Sequence, residues 1–283
     1  MKPKLIMVQG TSSGAGKSLI VTALCRILSN KGYKVSPFKS QNMSSFIFDI
    51  DKTGKIIAQA QAIQALGAKT NPDVRMNPIL LKPVGNYESE VYLHGKFFSK
   101  MKAVEYYKNF VLQKGFKHVL NAFNSLKSEN EIIVLEGAGS PAEINILKYD
   151  IANMLLADKL KAPVILVADI ERGGSFASIV GTVILLKPRY RNLIKGILIN
   201  KFRGDVNILS PAINKVERCT RKPILGVIPK IDHIIPSEDS LDGIIDRNKN
   251  HLEISDLDKE IDRVSDIMES VIDVEFILKK ILR

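Results

Sequence analysis

Lys4-Leu-Ile-Met-Val-Gln-Gly-Thr-Ser-Ser-Gly-Ala-Gly-Lys-Ser18 decides how the rest of the chain is read. Leu5 to Val8 is a short apolar run that predicts a buried strand. It breaks into a Gly/Ser-rich turn, Gly10 to Gly16, and then into a helical run, Leu19 to Leu28. Strand, glycine turn and helix start bring backbone N–H groups and the positive end of a helix to one point, which is how a phosphate is held. In such a loop Lys17 reaches the β- and γ-phosphates and the Ser18 hydroxyl sits on Mg²⁺. The pattern G-x-x-x-x-G-K-[ST] is met only in a variant form: Thr11 stands where its first glycine belongs, and Gly10 comes one residue early. Gly10, Thr11, Ser13, Gly14, Ala15, Gly16, Lys17 and Ser18 are the residues expected around the phosphates.

Beyond this loop, apolar runs and helical periodicities alternate. Strands are expected at Lys34 to Phe38, Ile132 to Leu135, Pro163 to Ala168, Ile194 to Ile199 and Ile224 to Val227. Several are continuous β-branched runs, as strands covered on both faces require. Helices are expected at Ile56 to Ala68, at Val104 to Leu126 with an interruption near Gly115, from Asp150 through Leu160, at Gly174 to Leu186 and at 208–220. Ile79 to Pro83 and Glu90 to His94 read as short strands about a turn at Gly85-Asn86, and Lys39 to Ser45 as a loop. The alternation predicts an α/β fold with a doubly wound, mostly parallel sheet of the P-loop NTPase type. Ligands bind beyond the carboxyl ends of such strands. Those ends carry Gly10–Ser18, Lys39, Glu136, Asp169 and Asn200, so polar residues converge on one edge.

The chain has 283 residues, 45% of them hydrophobic and 25% charged, which fits a globular protein and excludes a disordered one. No apolar run approaches the ~18 residues that cross a bilayer, and no charged-then-apolar leader precedes the first strand. The expected location is the cytoplasm, with no membrane partner. Two cysteines, Cys25 and Cys219, exclude a disulfide framework and a zinc site. Net charge is +11, but residues 251–283 hold nine acids against five bases, so the body ahead of them is strongly basic. That body suits a polyanionic small molecule or reflects a lysine-rich surface; no Arg-rich helix, aromatic stacking motif or finger spacing supports nucleic acid. Residues 1–250 read as one domain and 251–283 as an acidic amphipathic helix. Leu257, Ile261, Val264, Met268 and Val271 form its apolar stripe, which either packs back on the domain or makes a seam with another subunit of a homo-oligomer.

A phosphate loop beside an acidic strand end predicts a nucleoside triphosphate and Mg²⁺ site, with Ser18 and Glu136 as metal partners. Glu136 also reads as a cap on the Gly137 turn. Lys39 reads as a second positive charge on a transferred phosphoryl group or as a surface lysine. Glu171-Arg-Gly-Gly174, after Asp169, reads as a substrate-holding loop or as a turn with an ion pair.

The chain resembles the synthetase part of cobyric acid synthase, within the dethiobiotin synthetase-like family of phosphate-loop ligases. The resemblance rests on ordered blocks: Gly10 to Ser18, Pro37-Phe-Lys-Ser-Gln-Asn-Met-Ser44, Ala60 to Ala65, Met76-Asn-Pro-Ile-Leu-Leu-Lys-Pro83, Glu136-Gly-Ala-Gly-Ser-Pro-Ala-Glu-Ile-Asn145, Val167-Ala-Asp-Ile-Glu-Arg-Gly-Gly174, Ile199 to Asp205 and Glu238-Asp-Ser240. It implies ATP- and Mg²⁺-dependent amidation of corrin carboxylates through acyl phosphates, taking an adenosylcobyrinic acid a,c-diamide to cobyric acid. It further implies catalytic Lys17 and Lys39, adenine held by Asn200 and the backbone near Pro229, and a substrate side formed by Gln41, Asn42, Asp169, Arg172 and Gly173. Two departures stand out. The acidic residue that the family carries two positions after the glycine matching Gly54 is Ile56 here, which weakens a third metal ligand, and Gln61 is a poor substitute. Neither cysteine has the flanking glycines of a nucleophile elbow, and the tail is too short for a glutaminase domain. Ammonia is therefore expected from solution or from a separate glutaminase subunit, with the C-terminal helix as a candidate dock. The rivals are an a,c-diamide synthase on the same scaffold, a partitioning-type ATPase switch, which would carry a lysine where Thr11 stands, and a scaffold that has lost activity.

Overall fold

The structure, a computed structural model, describes residues 3–50, 52–236 and 254–282. In chain order the strands are β1 (Lys4–Gly10), β2 (Val35–Phe38), β3 (Gln41–Met43), β4 (Ile47–Ile50), β5 (Lys55–Ala58), β6 (Ile79–Gly85), β7 (Glu88–Leu93), β8 (Lys96–Lys102), β9 (Ile132–Glu136), β10 (Val164–Asp169), β11 (Ile194–Phe202) and β12 (Ile224–Pro229). The longer helices are α1 (Lys17–Asn30), α2 (Gln59–Gly67), α3 (Phe116–Glu129), α4 (Met154–Leu160), α5 (Ser175–Leu185), α6 (Ser210–Thr220) and α7 (Ile254–Val271).

Six strands form the main sheet in the order β12-β11-β10-β1-β9-β2, and every pairing is parallel. The expected doubly wound α/β fold is the observed one. Side chains of β1 and β9 alternate between two buried clusters, as period-2 strands must. Ile6, Val8, Ile132 and Val134 face the layer that contains α1, whereas Met7, Ile133 and Leu135 face the opposite layer. That alternation decides the site: two residues beyond Val134, Glu136 emerges on the α1 face. β1 lies between β9 and β10, so the strand order reverses around the phosphate loop, where such sheets bind ligands.

Between β2 and β9 the chain departs from the simple alternation. β3, β6, β7 and β8 make a second sheet, parallel at β3–β6 and antiparallel beyond, and β4–β5 is a separate hairpin. Lys39 to Ser45 is therefore not wholly loop, because Gln41–Met43 is strand. The helix expected from Ile56 begins only at Gln59. Ile56 and Ile57 belong to β5, where β-branched residues pair with Asp49 and Phe48 across the hairpin. Lys96–Lys102, a lysine-rich edge strand, has no expected counterpart. The helix expected from Val104 is π-helical over Tyr106–Gly115 and becomes regular at Phe116. A side chain at Gly115 would press on the Phe110 ring, which accounts for glycine at the transition.

α7 packs back on α1. Ile261, Val264 and Met268 join Ile20, Leu24 and Ile27 in one cluster. The expected domain boundary at residue 250 and the Glu238–Ser240 block lie outside the described residues. Among the described residues, no helix is long and apolar enough to cross a membrane.

Candidate active site

The loop between β1 and α1 closes on itself and on β11. Gly14 and Gly16 adopt left-handed φ of 69° and 92°. At Gly16 a Cβ would also lie 2.1 Å from Asn200 Nδ2, so glycine is required twice over. Thr11 N–H donates to Val167 O at 2.8 Å, carrying the parallel ladder into the loop. Lys17 Nζ donates to Ser12 O at 3.1 Å and so lies along the loop. Ala15 is buried, while Ser13 is exposed.

Beneath the loop, Glu136 is fully buried and is met by donors from three elements. Ser18 Oγ donates to its Oε1 at 2.8 Å, and Lys39 Nζ donates to the same oxygen at 2.9 Å. Gln64 Nε2 donates to Oε2, with Gln61 Nε2 at 3.5 Å from that oxygen. A buried charge persists only when paired and hydrogen-bonded in this way. Lys39, expected to face the transferred group, is itself buried and bound to the carboxylate. Gln64 is a functional candidate that sequence reasoning passed over, and Gln61 figures there only as a poor substitute for a metal ligand. Their signal was present: two amides three residues apart on an Ala/Ile-rich helix must find partners once that helix is buried.

The substrate-side candidates divide. Asn42 is buried and donates from Nδ2 to Gln61 Oε1 at 2.8 Å, which joins it to the Glu136 network. Gln41 is partly exposed and accepts from Tyr106 OH at 2.7 Å. Asp169 accepts from Lys201 Nζ at 2.8 Å, and that ammonium also donates to Gly14 O at 2.7 Å. Asp169 thus steadies the phosphate loop through Lys201. Arg172 and Gly173 are both exposed; Arg172 lines a cleft of ≈ 490 Å³ together with Gly14, Lys17, Ser18, Asn200 and Pro229, whereas Gly173 is not part of that lining. Asn200 is 3% exposed, and its amide is engaged on both sides: Nδ2 donates to Ala15 O and Oδ1 accepts from Lys201 N–H, each at 2.9 Å.

A profile for CbiA, the CobQ/CobB/MinD/ParA nucleotide binding domain, matches residues 6–242. The chain belongs to that family. It is 52% identical over 241 residues to a cobyric acid synthase of Thermodesulfovibrio yellowstonii, covering 85% of this chain and 48% of that protein. It is 51% identical to a cobyric acid synthase of Rippkaea orientalis, covering 86% and 49%. The chain spans about half the length of these curated relatives. Among solved structures, the signal recognition particle receptor FtsY of Elizabethkingia anophelis in complex with GDP aligns with a TM-score of 0.47 at 14% identity, over 80% of this chain and 57% of that one.

For a CobQ/CobB/MinD/ParA-type domain the donor set can be tested against Mg²⁺. Among the described residues, no cluster of three His, Cys, Asp or Glu side chains is placed to hold a metal. One hydroxyl beside one carboxylate, Ser18 and Glu136, nevertheless fits Mg²⁺, which keeps several waters and takes its other ligands from phosphate oxygens. Ile56 does not contribute. It is buried against Ala58 and Leu80.

The turn after Glu136 is held by Asn153, whose Oδ1 accepts from Ala138 N–H at 3.1 Å and whose Nδ2 donates to Asp150 Oδ2 at 3.0 Å. Burial pushes the Asp150 carboxyl up to about 6, against the lowering effect of its bonds from Asn153 and Ala152. The native state therefore binds this proton more readily than an unfolded chain, whose aspartate titrates near ~3.9. Between those two values stability falls as pH rises, by about 1–3 kcal/mol for a shift of this size. In urea titrations from pH 4 to 7, Asp150→Asn should lose that component of the slope. An unchanged slope would show that Asp150 does not titrate in this window.

Proposed function

We propose that this chain activates peripheral carboxylates of a corrin for amidation, transferring the γ-phosphoryl group of ATP to form acyl phosphates that ammonia then attacks. The observation that carries the reading is the buried Ser18–Glu136–Lys39 cluster, set directly under a phosphate loop in a chain about half identical to cobyric acid synthases. A carboxylate resists attack because its leaving group would be oxide. A carboxylate oxygen attacks the γ-phosphorus, the bond to ADP breaks, and the acyl phosphate gains a leaving group. Ammonia then adds to the acyl carbon, the C–O bond to phosphate breaks, and the proton lost by nitrogen leaves with the phosphate.

In this scheme the loop N–H groups, the start of α1 and Lys17 bind the phosphates and stabilise charge that moves during transfer. Mg²⁺ bound at Ser18 and Glu136 would supply further charge neutralisation on the phosphate oxygens. Lys39 and Gln64 hold the Glu136 carboxylate in place. Lys201, itself held by Asp169, and Asn200 fix the loop carbonyls of Gly14 and Ala15. The exposed Glu171-Arg-Gly-Gly174 turn and the basic body supply the surface for a polycarboxylate substrate, in the cytoplasm.

The nitrogen enters as ammonia. Cys25 is fully buried, and burial, reinforced by the Glu136 charge, pushes its thiol up. Cys219 lies exposed on α6. Neither provides the nucleophile on a strand-to-helix elbow that glutamine hydrolysis needs. The test is mass spectrometry of the corrin after incubation with ATP, Mg²⁺ and ammonium. Amide formation on the a,c-diamide is the expected result, consumption of cobyrinic acid instead would assign the a,c-diamide synthase reaction, and no mass change on either would refute the reading. Glutaminase activity from the purified chain would refute the ammonia step.

A further inference from the structure

We propose that Arg172 grips the phosphate chain of the bound nucleotide, its guanidinium donating to phosphate oxygens from the side of Gly14. This rests on the phosphate-loop cleft being the nucleotide site, and it separates Arg172 from the rest of the Glu171–Gly174 turn, which stays with the substrate. A Cβ placed on Gly14 would lie 3.6 Å from Arg172 Nη2, so the guanidinium stands against the phosphate loop itself. The side chain lines the cleft together with Gly14, Gly16, Lys17 and Ser18. Gly14 and Gly16 are both left-handed, with one residue between them. Such alternation turns successive backbone N–H groups into a concavity for an anion. Arg172 ends at its rim.

Local backbone geometry explains why an arginine just past the end of β10 turns back toward the loop. Glu171 N–H donates to Asp169 Oδ1 at 2.8 Å, and Gly173 N–H donates to Ile170 O at 3.2 Å, which closes a tight turn. Gly173 and Gly174 follow at φ 75° and 68°, a conformation that residues with a Cβ rarely adopt. The turn is also tied down. Ile170 N–H donates to Asn200 O at 3.0 Å, and the Glu171 carboxylate is held by Lys230 and Arg203. Arg172 is thus presented from a fixed backbone.

The other cations of the cleft are committed. Lys201 bonds to Asp169 and to Gly14 O, Lys17 donates to Ser12 O, and Lys230 is bound to Glu171. Both carboxylates next to Arg172 in the chain, Asp169 and Glu171, are therefore taken by other partners. Arg172 itself makes no hydrogen bond or ion pair with any other group among the described residues. A guanidinium laid against a backbone loop with its donors unused calls for an anion with several oxygens, and its planar fork matches phosphate or carboxylate. Position decides between the two. An anion seated in the Gly14–Ser18 concavity is the one within reach of a guanidinium already standing against Gly14.

The experiment is calorimetric titration of the whole chain with the Mg²⁺ complex of β,γ-imido-ATP, without corrin, for wild type, Arg172→Ala and Arg172→Lys. Arg172 is exposed, so neither variant should shift the thermal unfolding midpoint. Arg172→Ala should bind the analogue about 10- to 100-fold more weakly, the span of hydrogen bonds made by a charged group. Arg172→Lys should recover part of that loss, because the charge returns without the fork. Unchanged affinity in Arg172→Ala would overturn the assignment. A raised KM for the corrin alongside it would give the guanidinium to a substrate carboxylate, and an unchanged KM would leave it a solvated surface group. Wild-type chain that fails to bind the analogue brings down the nucleotide reading together with this one. Wild-type chain that binds it but amidates no corrin refutes the proposed function alone.

Discussion

Glu136→Gln should lower corrin-dependent ATP turnover by about 10²–10³-fold, the effect of losing one charge-stabilising group at a transferring centre. The loss has two origins. The amide would be a weaker oxygen ligand for the Mg²⁺ proposed beside Ser18, and the Lys39 ammonium keeps its burial while losing the carboxylate 2.9 Å away. Breaking a buried pair by removing one partner costs about 3–5 kcal/mol, whereas removing both is far milder. Glu136→Gln combined with Lys39→Met should therefore recover much of the lost thermal stability and none of the activity. Steady-state turnover and thermal unfolding of both single variants and the double variant complete the cycle. If stability adds without coupling, Lys39 and Glu136 are not the energetic pair that their geometry implies. If turnover survives Glu136→Gln, the carboxylate is a structural cap.

The second large effect is on folding. The Arg26 side chain, on α1, is 1% exposed, yet its guanidinium donates to Gly67 O and Leu66 O at 3.0 Å each, to Asp262 at 2.8 Å, and to Asp258. One side chain thus ties the phosphate-loop helix to the end of α2 and to α7. Arg26→Leu should destabilise the protein by about 3–5 kcal/mol, because the buried Gly67 carbonyl and the partly buried Leu66 carbonyl lose their donor along with the charge pair. The carboxylates are much less costly to disturb. Their side chains are 44% and 47% exposed and rehydrate when released, so Asp258→Asn should cost only about 1 kcal/mol or less. Chemical denaturation of the two variants measures the contrast. Equal effects would mean that the carboxylates, not the carbonyls, carry the contribution of Arg26.

Much of this architecture was legible in residue order. The continuous apolar runs at Leu5 to Val8, Ile132 to Leu135 and Pro163 to Ala168 can only be strands covered on both faces, and they are the centre of the sheet. Less could be read between β2 and β9. Ile56-Ile57-Ala58 followed by Gln-Ala-Gln-Ala62 has both a strand and a helix in it, and which half wins is decided by the hairpin partner Ile47–Ile50. Lys96–Lys102 alternates weakly because it is an exposed edge, which needs little burial to pair. At the site, the residues flagged on strand ends do gather around one edge, but their roles depended on direction. Lys39 turns inward to Glu136, and the amide of Asn200 turns toward Ala15 O.

The order of amino acids alone determined that a phosphate-binding turn links a buried strand to a helix, and that acidic and basic groups follow on later strands. Glycine at φ 92° and alternation along a strand are local consequences of covalent geometry and period, so they survive without knowledge of neighbours. Tertiary structure alone decided which charges share an oxygen, that Gln61 and Gln64 reach Glu136 from another helix, and that α7 buttresses the backbone at Asp232 and Ile234. Those contacts join residues 26 to 118 positions apart. No sequence spacing encodes them, because their energy arises only when burial removes the water that would otherwise serve each group.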